Sequence, residues 1–438
     1  MFLKNKIEFF RQHKFVRDTA ILQVGNVTGT LIQGIAGVIL ARLFQPELFG
    51  IYSLAFGLGA TIVVFFSVIS QDCVSAILAN PYTSQDRERL TTALAFIIKI
   101  LIITGIFAVS SFLFAPIISQ SLYQNSTIGF YAAIFVLSLF LSNSFFAISR
   151  VIFQLVGKMW PMTILGAGDQ LARSILAILF LIFGFGIFGA ALGHLLGALI
   201  IAVASFVILY HANRIDHLFP RFEPLFKRVK NVKIREYFGI SMWIAIDRNL
   251  AILYGTLAIA ITGIFVTPSE IGFFKLAFAY VNIILSLLTP ISTLSNVTFV
   301  RSKLLDNVHN LRNNFIKVSL YSMCLSSLLT FGAIIIAKPF FRVLYGVSYL
   351  PSVEYVLGFI AYGALFGIGV GLGPMWRAVN KVRTSIMINL ITLGAGIPLG
   401  LLLVSRYGIW GAVIMVTIWF TASHVASFLY LVKKLKTI

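Results

Sequence analysis

"PELFGIYSLAF" (residues 46–56) returns as "PSEIGFFKLAF" (residues 268–278), with Pro, Gly, Leu, Ala and Phe at the same places. The offset is 222 residues, close to half of a 438-residue chain. "GIFGAA" (186–191) meets "GIWGAV" (408–413) at the same offset, and Leu122-Tyr123 meets Leu344-Tyr345. With one inserted residue, "LVGKM" (155–159) meets "AVNKV" (378–382). Four anchors at nearly one offset read as an internal duplication. The fold is therefore that of one half, used twice.

Composition says what each half is made of. Hydrophobic residues are 59% of the chain, charged residues 11%, and the mean hydropathy is +0.96. A soluble domain carries about 25% charged residues, so this chain is read as an all-α polytopic membrane protein. Apolar stretches long enough to cross a bilayer, about 20 residues each, predict twelve transmembrane helices. They lie near 19–41, 48–71, 92–115, 129–152, 161–183, 187–210, 239–262, 269–297, 315–337, 353–375, 384–404 and 408–432. The predicted organisation is a cytoplasmic N-terminal segment (1–18), a six-helix bundle (19–210), a cytoplasmic linker (211–238), a second six-helix bundle (239–432) and a cytoplasmic tail (433–438). Six is even, so the two six-helix repeats run parallel, an arrangement that suits alternating access around a central cavity.

The net charge of +20 follows the same logic. Of 34 Lys and Arg, 26 are counted to the termini and even-numbered loops. Four fall in the opposite loops (Arg42, Lys338, Arg342, Arg406), and four inside spans (Lys99, Arg173, Arg248, Lys275). Positive residues collect on the cytoplasmic side, which predicts both termini in the cytoplasm and gives the basic charge a role other than nucleic-acid binding. The basic start runs into an apolar stretch too long for a signal peptide, so no cleavage is expected. Cys73 and Cys324 lie in apolar context without CxxC spacing and suggest neither metal nor disulfide. The segment "HANRIDHLFPRFEPLFKRVKNVKIREYF" (211–238) carries seven basic residues. It reads either as a topology-setting linker or as a contact for anionic lipid head groups.

Ionisable groups inside spans are rare and face cavities or each other. Asp247 and Arg248 lie about 12 Å into span seven. Neighbours on a helix point about 100° apart, so they do not form a face-to-face pair. Asp169 and Arg173 in span five have the favourable i,i+4 order and read as a structural pair or as cavity groups. A guanidinium suits phosphate oxygens, which makes Arg248 the leading substrate contact. Lys275 continues a cationic track or snorkels to the interface. Asn26, the repeat-mate of Arg248, joins Gln23 and Gln33 in a polar stripe on span one. Asp247 and Asp169 are the candidates for coupling to H+ or Na+. His194 and His424 read as packing residues, and Lys99 as a snorkelling lysine.

"ARLFQPELFGIYSLA" after span one, the Asp-basic pair of span seven and "VTPSEIGFFKLAFAY" after it resemble the Wzx-type polysaccharide flippases. These belong to the multidrug/oligosaccharidyl-lipid/polysaccharide exporter superfamily, with the MATE exporters and MurJ-type lipid II flippases. The resemblance covers essentially the whole chain. It implies a MATE-like fold and movement of polyprenyl (undecaprenyl) pyrophosphate-linked oligosaccharide to the outer leaflet of the inner membrane. Surface polysaccharide such as O-antigen of lipopolysaccharide would be the product, with a polymerase and other assembly proteins as partners. Lys275 departs from the family pattern, where an aromatic or small residue is usual.

Two alternatives stand beside it: a MATE-like ion-coupled exporter of small molecules and a lipid II-type flippase. An exporter of cationic drugs calls for an acidic cavity, whereas the deep set here is balanced or slightly basic. An enzyme is not expected, because the outer loops are short and nearly uncharged, and no nucleophile, metal-ligand or phosphate-loop motif is present.

Overall fold

The computed structural model describes residues 14–304 and 308–436. Its helices are α1 (Lys14–Phe66), α2 (Gln71–Thr83), α3 (Arg87–Tyr123), α4 (Ser126–Asn143), α5 (Phe145–Val156), α6 (Met159–Ile182) and α7 (Gly186–Tyr210). A connecting stretch follows with α8 (Ala212–Ile215) and α9 (Phe222–Asn231). The second half holds α10 (Arg235–Thr262), α11 (Pro268–Leu285), α12 (Thr289–Leu304), α13 (Val308–Leu344), α14 (Ser352–Gly358), α15 (Ile360–Phe366), α16 (Leu372–Ala378) and α17 (Val382–Lys434). No strand occurs among the described residues. Helices satisfy their own backbone groups, which hydrocarbon demands. The chain is an all-α, multi-pass membrane protein.

Nine helices among the described residues are long and apolar enough to cross a bilayer, ten if a pair bent by 55° (Val347–Gly358 with Ile360–Ala378) is one crossing. The sequence reading expects twelve. Counting the bent pair gives ten, and the two further crossings would lie in α1 and α17, 53 residues each. Straight, each would run about 80 Å, far beyond the about 30 Å of hydrocarbon. Each is interrupted once by a non-helical residue, α1 at Gln45 (φ 60°) before Pro46 and α17 at Gly408 (φ 55°). The count of twelve depends on cutting the helices there.

The duplication is visible in the backbone. Gly186 and Gly408, repeat-mates in "GIFGAA" and "GIWGAV", both take left-handed φ, 57° and 55°. Gln124 and Gly346 follow the matched Leu-Tyr pairs and repeat the pattern (54° and 97°), as do Gly157 and Asn380 (77° and 54°). Left-handed φ is rare and favours glycine, so two pairs at 222 residues and one at 223 mark equivalent turns.

The chain packs as two units. One contains the described residues of Met1–Leu43 together with Phe65–Gln120 and Asn125–Ala245. Its core gathers Phe96, Leu94, Val151 and Ile148, and also Phe219, Leu225 and Val229 from the connection between α7 and α10. That connection is tied down by polar contacts too. The Lys99 amine donates to the carbonyls of Val232 (2.9 Å) and Lys230 (3.3 Å) at the end of α9, and the Tyr82 hydroxyl donates to Asp216 (2.7 Å). The Leu218 amide, and then Tyr82, hold the Asp216 carboxyl below its ordinary range. Lys99 thus serves the end of α9, where the sequence reading has it snorkelling.

The second unit contains Phe44–Val64, Ser121–Gln124 and the described residues of Ile246–Ile438. Thr267 begins α11 with a capping box: its hydroxyl accepts from the Glu270 amide while Glu270 accepts from the Thr267 amide, and Pro268 takes the first turn. "GIGVGLGP" forms a short 3-10 helix (Gly367–Gly371) leading into α16. A β-carbon at Gly367 would strike the Ser322 backbone, and one at Gly369 the His424 ring. These glycines are there for close packing.

Candidate functional site

The first unit holds a cavity of about 190 Å3 between α1, α5 and α6. Asn26, Thr30 and Gln33 line it from α1, Arg150 from α5, and Asp169 and Gln170 from α6. Asn26, Thr30 and Gln33 recur at spacings of four and three, which puts them on one face of α1. The Gln33 amide donates to the Gln170 carbonyl oxygen at 2.7 Å, joining the two walls.

Asp169 is 3% exposed. Arg173, one turn along α6, reaches it at 2.5 Å, and the Ser142 hydroxyl donates to its other oxygen at 3.3 Å. The i,i+4 pair expected from sequence forms. Gly197 of α7 lies against the Arg173 backbone, so close that a β-carbon would overlap it, and this holds α7 tightly beside the pair. With its carboxylate engaged by Arg173, Asp169 contributes little net negative charge to the cavity.

Arg150 is the residue that sequence reasoning passed over. Counted there with the loop after span four, it sits in α5, half-buried on the cavity wall, with its guanidinium 5.3 Å from the Phe146 ring centre. Its Nε has no hydrogen-bond partner among the described residues. The signal was present: Arg150 falls inside the predicted span 129–152.

The second unit holds a cavity of about 240 Å3. Asp247 and Tyr254 face it from α10, Gly369 and Trp376 from the bent tenth segment, and Asn389, Phe420, Ser423 and His424 from α17. Asn389 is the hub. Its side-chain oxygen accepts from the Tyr254 hydroxyl (3.0 Å) and the Ser423 hydroxyl (2.6 Å), while its amide donates to the Ser385 carbonyl (3.1 Å). Phe420 packs on Tyr254 (5.1 Å) and His424 (5.9 Å). Asp247 is exposed there. Asn389, Tyr254 and Ser423 were not singled out from sequence, since only the tertiary fold brings α10 and α17 together.

The remaining expected residues fall outside both cavities. Arg248 is half-buried on α10 and Lys275 half-buried on α11. Neither lines either cavity. Asn26 belongs to the first unit and Arg248 to the second. No cluster of three or more metal-ligating side chains occurs among the described residues.

A family model described as polysaccharide biosynthesis protein matches residues 39–354. No curated protein matches the sequence. Among solved structures, the lipid II flippase MurJ in an inward closed conformation is similar with a TM-score of 0.69 and 15% identity, covering 96% of this chain and 87% of that one. An inward-facing multidrug resistance MATE family transporter of the MOP superfamily gives 0.66 at 15% identity, covering 93% and 96%. MATE in complex with MaL6 gives 0.60 at 16% identity, covering 97% of each chain. At such identities the likeness is one of fold.

Proposed function

Because the chain belongs to the polysaccharide biosynthesis protein family, we propose that it is a flippase for polyprenyl pyrophosphate-linked oligosaccharide. It carries this lipid from the inner to the outer leaflet of the cytoplasmic membrane by alternating access, with both termini in the cytoplasm. The observation that carries the reading is the chemistry of the first cavity. Asn26, Gln33 and Gln170 supply amides, Arg150 supplies a guanidinium, and the one carboxylate is held by Arg173. Amides donate and accept as sugar hydroxyls do, and a guanidinium matches phosphate oxygens in pairs.

In this reading Asn26 meets sugar and Arg150 the pyrophosphate in the first cavity, and on the second unit Arg248 and Lys275 are further cationic contacts for phosphate. Arg173 acts with Asp169 to hold the wall in shape. Asp247, exposed on the second cavity, is the group that couples transport to H+ or Na+. Polymerase and other assembly proteins receive the product.

Deleting the gene and following the lipid-linked oligosaccharide tests the reading. Accumulation in the inner leaflet, cured by the wild-type gene and not by Arg248→Ala, is the expected result. Normal surface glycan in a strain carrying only Arg248→Ala would remove that residue from the account, and no accumulation in the deletion would remove the function.

A second reading, a MATE-like exporter of small cations, draws support from Asp247 beside Tyr254 and Phe420, because cations favour carboxylates and aromatic faces. Sensitivity of the deletion strain to cationic drugs with intact surface glycan would favour it.

A further inference from the structure

The connection between α7 and α10 forms a second kind of site, independent of the cargo reading. Helix α9 carries Leu225 and Val229 one turn apart, both buried in the core of the first unit. Phe222 and Phe226, also one turn apart, extend the same apolar arc to its edge. The Phe222 ring meets Phe206 edge-on at 5.4 Å and Tyr210 at 5.5 Å. Phe206 and Tyr210 belong to the last turns of α7, a membrane-crossing helix. α9 is therefore held at the level where α7 leaves the bilayer. Lys99 and an Arg228–Glu88 ion pair (3.3 Å) fix it there.

A groove of about 720 Å3 opens at this junction. Tyr210 and Phe226, each 53% exposed, offer it aromatic edges. Arg214 and Arg221, both exposed, also line it. The one acid in its lining, Glu223, is engaged by Lys227 at 2.7 Å, which leaves the two arginines as net positive charge. Aromatic rings at bilayer-interface depth beside basic side chains are the chemistry that recognises anionic lipid head groups.

We propose that this groove binds the head group of an anionic phospholipid from the leaflet that α9 faces. Arg214 and Arg221 take the phosphate, and the acyl chains pass Phe226 and Tyr210. A bound lipid would brace α9 against α7 and make the connection between the two repeats sensitive to membrane charge.

The test is native mass spectrometry of the purified full chain with equal amounts of phosphatidylglycerol and phosphatidylcholine. Wild type should carry phosphatidylglycerol preferentially, and salt should erode the preference. Arg214→Gln and Arg221→Gln should each reduce it about fivefold, the equivalent of about 1 kcal/mol per basic residue. Lys230→Gln with Lys233→Gln, on the same segment outside the groove, should leave it unchanged. Phe226→Ser should weaken lipid binding at constant charge. An unaltered preference in the Arg214→Gln/Arg221→Gln protein overturns the proposal, as does an equal loss in the Lys230→Gln/Lys233→Gln protein. No effect of Phe226→Ser would reduce the groove to a phosphate site and overturn the lipid assignment. Size-exclusion profiles matching wild type show that each variant is folded.

Discussion

Gly50 packs directly against the carbonyl of Pro268, and 222 residues away from each, Gly272 packs against the carbonyl of Pro46. The contact is reciprocal, as two copies of one surface make it when related by a two-fold operation. It joins the two stretches, 46–56 and 268–278, whose likeness reveals the duplication. A β-carbon on either glycine would overlap backbone that cannot swing aside. Gly50→Ala and Gly272→Ala should each cost about 1–3 kcal/mol through overpacking, read as a lower melting temperature of the purified protein. Gly37, with nothing within 4 Å of its β-carbon position, is the control. Gly37→Ala should be neutral or slightly stabilising, since alanine favours helix by about 1 kcal/mol.

The Asp169–Arg173 pair is buried, so removing one partner strands the other. Asp169→Asn or Arg173→Ala alone should destabilise by about 3–5 kcal/mol, whereas an apolar double replacement such as Asp169→Leu/Arg173→Met should recover much of that. Thermal melts of the two singles and the double form the cycle. Additive losses would mean that the two side chains act separately.

Arg150 should be needed for transport and dispensable for folding. Arg150→Ala is expected to lower glycan export at least tenfold at wild-type membrane abundance, with partial recovery in Arg150→Lys, whose ammonium lacks the paired donors. Export measured by surface glycan labelling, beside immunoblots of membranes, checks this. Undiminished export would leave Arg150 a packing residue.

The Tyr82–Asp216 tie anchors the connection to the first unit. Because the folded carboxyl titrates below its ordinary range, its stabilisation is complete at neutral pH. It is lost only as pH falls below about 4, through the depressed value. Asp216→Asn should abolish that acid dependence and loosen residues 211–221, read as faster amide exchange there at pH 7. Unchanged exchange in the variant would show that apolar packing of Phe219 and Leu225 suffices.

Asp247→Asn is expected to leave the protein folded, because the side chain is exposed on its cavity, and to uncouple transport from the ion gradient. Flipping in vesicles with and without an imposed H+ or Na+ gradient gives the readout. Gradient-dependent flipping in Asp247→Asn would move coupling elsewhere.

Much of the fold was legible because membranes force simple rules. Hydropathy found the apolar stretches that form the long helices, although it expects twelve crossings where nine or ten qualify, and the 222-residue offset paired Gly186 with Gly408, which the backbone shows as equivalent turns. Helical spacing found the Asp169–Arg173 pair, since both partners lie on one helix. Asn389, Tyr254 and Ser423 stayed hidden, because α17 and α10 are distant in sequence and each residue alone is an ordinary polar group in a span. Arg150 was missed for another reason: a charge near the predicted end of a span was counted as loop, although α5 continues past it to Val156. Lys99 was read as reaching for water, and the carbonyls at the end of α9 supply its partners instead.

Flipping can be read in vesicles that hold the reconstituted protein and carry polyprenyl pyrophosphate-linked oligosaccharide in both leaflets. A glycan-modifying enzyme added outside reports the accessible fraction, with an H+ or Na+ gradient imposed. Protein-free vesicles expose only the outer-leaflet share. A flippase of this lipid carries the inner-leaflet share into reach until modification is nearly complete, and Arg248→Ala vesicles should resemble protein-free ones. Accessibility that stays at the outer-leaflet share with the wild-type protein present, under either gradient, would contradict the flippase reading.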